Sequence, residues 1–133
     1  MAGISVWWGM SDMAHILIVD DNILNLELAR DVLELEGYEV STAATGEEGV
    51  KFVRNAPPDL VLMDLRMPGL SGLEALEFLR NDGFHDLPVV VLTASAMKGE
   101  RENLIAKGFN GYLEKPINLE TFAAEVAAFL PQP

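Results

Sequence analysis

No cysteine occurs in the 133 residues, which excludes disulfides, thiolate metal sites and cysteine nucleophiles and fits a reducing compartment such as the cytoplasm. Basic side chains are scarce. Nine Lys+Arg stand against 21 Asp+Glu, a formal net charge of −12. A field of that sign opposes nucleic acid or an anionic membrane as partner and favours basic proteins and metal cations. No apolar run approaches the roughly 18 residues that a transmembrane helix requires. The first thirteen residues, "MAGISVWWGMSDM", contain neither Lys nor Arg, so they make a poor secretory signal and read as a flexible extension.

What is present is apolar and regularly spaced. Half of the residues are hydrophobic, enough for one well-packed core, and residues 14–133 read as a single domain with nothing left over for a second. Short runs rich in branched apolar residues, "HILIV", "YEVSTA", "DLVLM", "VVVL" and "YLE", alternate with helical patterns. The first helix is expected to bury Leu24, Leu28, Val32 and Leu35 and to stop at Gly37. Thr45 with Glu48, and Ser71 with Glu74, have the spacing of capping boxes that open the second and third helices. The fourth helix is expected from Ala96 to Lys107. The fifth should run from near Asn118 to Pro131 and bury Phe122, Val126 and Phe129. Five strands alternating with five helices imply right-handed crossovers and a doubly wound α/β fold, a five-stranded parallel sheet with helices on both faces.

The chemistry-bearing residues fall where strands end. Asp20-Asp21 follow the first strand, Asp64 the third, Thr93 the fourth, and Lys115-Pro116 the fifth. In an open α/β sheet these positions share one rim, where ligands bind. A flavodoxin-like strand order 2-1-3-4-5 would set the first and third strands side by side and bring the three acids together. Two unit charges about 4 Å apart repel by about 4 kcal/mol at an effective dielectric near 20, so such a cluster calls for positive charge. Lys115 supplies one, and a divalent cation would complete neutrality. Oxygen donors with no Cys and no nearby His suit Mg²⁺, or Mn²⁺, rather than Zn²⁺. A carboxylate held this way can act as a nucleophile toward phosphorus, with Thr93 and Lys115 placed to hold phosphoryl oxygens. Other residues have plainer readings: His15 and His85 are structural or solvated, and Met63 and Met67 fill the core.

"LIVDDN", "LVLMDLRMPGLSGLE", "VVVLTASA" and "GYLEKPI" resemble, in the right order, the motifs of the receiver domain of bacterial two-component response regulators. The resemblance implies that Asp64 accepts phosphate from a histidine kinase or histidine phosphotransfer protein docking near the first helix. It implies a Mg²⁺ site at Asp20, Asp21, Asp64 and the backbone carbonyl of Arg66, and a cis Lys115-Pro116 bond. It further implies that Thr93 and Tyr112 report phosphorylation to an outer face at about Ala96 to Leu130. The protein would then be a non-turnover signalling switch, stand-alone or excised from a hybrid kinase. It would be a monomer, with a dimer the alternative, acting through a downstream protein or onward phosphotransfer. A haloacid-dehalogenase-like phosphatase would need an acid two residues after Asp64, where Arg66 stands. A flavin-binding relative would need a phosphate loop where Asp20-Asp21 stand.

Overall fold

The computed structural model of the chain describes residues 13–94 and 98–130. Residues 1–12 of the expected thirteen-residue extension, the start of the fourth helix at Ala96 and the stop at Pro131 lie outside the described residues. Five strands, β1 (His15–Val19), β2 (Glu39–Ala43), β3 (Leu60–Asp64), β4 (Val89–Thr93) and β5 (Gly111–Glu114), form one parallel sheet in the order β2-β1-β3-β4-β5. Between and after them run α1 (Ile23–Leu35), α2 (Gly46–Asn55), α3 (Gly72–Asn81), α4 (Lys98–Ala106) and α5 (Phe122–Ala127).

The strands look continuously apolar because both of their faces are buried, and alternate residues enter different cores. Ile16, Ile18, Leu60, Leu62, Val90, Leu92 and Leu113 pack under Leu26, Ala29 and Leu33 of α1 and Phe122 and Val126 of α5. Leu17, Val19, Val61, Met63, Val89 and Val91 pack instead under α2, α3 and α4, through side chains such as Val53, Leu76, Leu79 and Leu104. Fully burying each such aliphatic side chain stabilises the fold by about 1.5–3 kcal/mol, so the sheet has little freedom to slip.

Helix starts follow the sequence. Ser71 and Glu74 form a complete capping box. At α2 the Thr45 hydroxyl accepts from the Glu48 N–H at 3.1 Å, but the Glu48 carboxylate accepts from Ala44 rather than closing back on Thr45. Two expectations need correction. In α1 the buried residues are Leu26, Ala29 and Leu33, while Val32 is half-buried and Leu24, Leu28 and Leu35 face outward, Leu24 at 76% and Leu35 at 86% exposure. The helix carries two overlapping apolar sets at helical spacing. Asn22 is the N-cap, and the set at Leu26, Ala29 and Leu33 is the one that faces the sheet. Helix α5 is also shorter than expected: Asn118–Thr121 form a turn in which the Asn118 side chain accepts from Glu120, and regular helix begins only at Phe122.

Candidate functional site

The C-terminal ends of β1, β3, β4 and β5 converge on one crevice. Asp20 follows the buried Val19 directly and is itself 1% exposed. One of its oxygens, Oδ1, accepts from the Asn22 N–H at 2.9 Å. The other, Oδ2, lies 2.9 Å from Lys115 Nζ. That separation is an ion-pair distance, yet no hydrogen bond from the described residues is directed at this buried oxygen. Asp64 is the last residue of β3, and its Oδ2 lies 3.2 Å from the same ammonium. Asp21, next along the chain, is exposed at the mouth of the crevice.

Strand pairing brings these groups together: β1 lies against β3, β3 against β4, and β4 against β5. Thr93 is buried at the end of β4, and its carbonyl accepts from the Lys115 N–H at 2.8 Å. The Lys115-Pro116 bond is cis, as the motif implied. A cavity of about 150 Å³ lies between Asp64, Leu65, Arg66, Thr93, Ala94 and Lys115, open to a small tetrahedral group. Tyr112 stands apart, half-buried on β5. His15 bonds Ser41 at the opposite rim and His85 is exposed, so neither belongs to the site.

Electrostatics follow from this burial. Desolvation, with the Asp20 charge beside it, raises the Asp64 pKa from 3.8 to about 6 against the opposing pull of Lys115. Burial works against the Lys115 charge, but its contacts with Asp20 and Asp64 outweigh that cost and raise its pKa. Carboxylate oxygens of Asp20, Asp21 and Asp64 lie within 4.8 Å of one another. A hard, oxygen-seeking dication fits this donor set. The buried Asp20 Oδ2 provides a lone pair that described hydrogen bonds leave unused, and the three acids outnumber the one ammonium.

Glycines hold the loop after β3 against its neighbours. Gly72 opens α3 directly against the backbone of Asp64: a Cβ there would collide with the Asp64 carbonyl and come within 3.0 Å of Leu65 Cα. From α2, Gly46 makes room for Leu70, whose carbonyl oxygen would lie 2.7 Å from a Cβ at that position. One contact had no signal in the sequence. Arg101 of α4 lies over the Tyr112 ring, 4.8 Å from its centroid, and reaches Glu114 at 2.7 Å.

Known proteins are similar to this chain in sequence and in fold. The model of the response regulator receiver domain matches residues 16–127. The polar-differentiation response regulator DivK of Brucella ovis is 39% identical over 116 residues, covering 86% of this chain and 94% of that protein. The chemotaxis response regulator CheY4 of Vibrio cholerae has a solved structure similar to this one, with a TM-score of 0.83 at 32% identity, covering 89% of this chain and 99% of that one. A chain in the co-crystal of the Saccharomyces cerevisiae phosphotransfer protein Ypd1 with the receiver domain of Ssk1 is similar at a TM-score of 0.81 and 27% identity, over 88% of each chain.

Proposed function

This chain belongs to the response regulator receiver family of two-component signalling, and from that premise we propose that Asp64 is its phosphoacceptor and that a histidine kinase or histidine phosphotransfer protein is its donor. The observation that carries the reading is the convergence of Asp20, Asp21 and Asp64 with Lys115 beside a cavity that Thr93 also lines. Mg²⁺ would be held by the three carboxylates and the Arg66 carbonyl, and when bound it supplies the positive charge that lets a phosphoryl group approach them.

This chain's own residues do the rest. An Asp64 carboxylate oxygen attacks phosphorus as the P–N bond to the donor imidazole breaks, and the bonding electrons leave with the imidazole nitrogen. Lys115 pairs with one phosphoryl oxygen and the Thr93 hydroxyl turns to donate to another. Drawing Thr93 toward the phosphate vacates space behind it, into which Tyr112 moves. The output is a changed outer surface around α4, β5 and α5, read by a downstream protein or discharged by onward transfer. Arg66, two residues after Asp64, has no carboxylate with which to serve as general acid, which favours an acceptor that holds phosphate over a turnover phosphatase. The cytoplasm is the compartment that this reading assigns. No helix among the described residues is long and apolar enough to cross a membrane.

Incubation with acetyl phosphate and Mg²⁺ should add one phosphoryl mass to the wild-type protein and none to Asp64→Asn. Equal labelling of the two by intact mass spectrometry would refute the assignment.

A further inference from the structure

Tyr112 and Glu114 are two residues apart on β5 and so point to the same side of the sheet, toward α4, whereas Leu113 between them enters the other core. Arg101 spans both. Its guanidinium carbon lies 4.8 Å from the centre of the Tyr112 ring and its Nη2 lies 2.7 Å from Glu114 Oε1. The Arg101 Nε is buried with no hydrogen-bond partner among the described residues, so the guanidinium is held by what its outer nitrogens and face contact. To either side the surface falls away. One depression of about 540 Å³ is lined by Arg101, Glu102, Ile105, Ala106 and Tyr112, and another of about 440 Å³ lies between Arg101, Tyr112 and Glu114 on the way to α5. Between them, Arg101 straps the ring to α4.

The strap is anchored close to the phosphoacceptor site. Glu114 pairs in register with Thr93, and the next residue is Lys115, which touches both Asp20 and Asp64. We propose that Arg101 is a positioning residue that holds the half-buried Tyr112 ring in its present place against α4 and thereby opposes the phosphorylated conformation. This rests on the reading that phosphorylation at Asp64 draws Thr93 and Tyr112 inward. For the ring to move, the guanidinium must leave it or travel with it, and Glu114 resists the second course. An exposed cation–π contact and an exposed ion pair together bias such an equilibrium by roughly fivefold. By linkage, whatever favours the ring's present place disfavours the phosphoryl group by the same factor.

The probe is beryllofluoride with Mg²⁺, a tetrahedral stand-in for the phosphoryl group, titrated into the full chain. The chain contains two tyrosines, so a Tyr38→Phe background leaves one labelled tyrosine ring signal, that of Tyr112. Arg101→Ala should bind beryllofluoride about fivefold more tightly than wild type. Its Tyr112 signal before any addition should already lie part of the way toward the bound position, a shift that a merely structural loss would not produce. Affinity equal to or below wild type, or an unmoved ring signal in the free variant, overturns the proposal. Should Arg101→Ala fail to fold, Glu114→Ala keeps every residue of α4 and decides the matter: a gain in affinity supports the strap and no gain overturns it. If the wild-type protein itself takes up no beryllofluoride, the phosphoacceptor reading falls and the strap with it. Equal uptake by wild type and variant removes the strap alone.

Discussion

At the scale of single residues, the acid cluster carries an electrostatic load that the solvent can report. Folded Asp64 takes up its proton near pH 6, whereas the unfolded carboxyl does so near 3.8, so the folded form binds that proton more tightly. The resulting stability is fully present below about pH 4 and is lost as pH rises through 6. In excess chelator, the urea midpoint of wild type relative to Asp64→Asn should therefore fall between pH 4 and 6; a constant difference would count against it. Above that window Mg²⁺ should restore what was lost, adding about 2.7 kcal/mol at a hundredfold excess over its dissociation constant. Asp20, Asp21, Asp64, Thr93 and Lys115 were all legible beforehand, because each ends a strand or follows one and the strand order alone brings them to one crevice. Arg101 was not legible: it lies on an irregularly patterned helix, 13 residues from Glu114, and only the packing of α4 on β5 joins them.

At the scale of elements, the helices differ in how firmly they are held. Helix α1 buries Leu26, Ala29 and Leu33, and α3 buries Ala75, Leu76 and Leu79. In α4 Leu104 is the one buried side chain among its described residues, and Gly99 stands in its first turn with open space where a Cβ would be. Gly99→Ala should therefore stabilise the protein by about 1 kcal/mol and slow amide exchange across Lys98–Ala106, which in the wild type should be faster than in α1. Uniformly slow exchange in wild-type α4 would contradict this. The presence and kind of every element were legible from apolar spacing and caps, but two details were not. The rotation of α1 about its axis was hidden because Leu24, Leu28 and Leu35 form as good a stripe as the set that packs. The late start of α5 was hidden because Asn118 uses its side chain to make a turn where a helix could have begun.

At the scale of the whole molecule, a charge of −12 on a chain of this size is a continuous self-repulsion that burial must overcome. Raising monovalent salt from about 0.01 to 0.1 M shortens the screening length from about 30 to 10 Å, so the chelated protein's urea midpoint should rise over that range. A flat response would mean that the charges are already balanced pairwise. The two-sided sheet, with α1 and α5 over one face and α2, α3 and α4 over the other, has the site on its rim, where a small displacement can pass into either layer. The glycine contacts make that choice unequal. The loop after β3 is wedged against Gly46 on one flank and Gly72 on the other, which leaves it little room to shift. On the proposed reading, a phosphoryl group on Asp64 would therefore pass its effect sideways, through β4 and β5 toward the loosely seated α4. The molecule would then be stiff where the message is written and compliant where it is read.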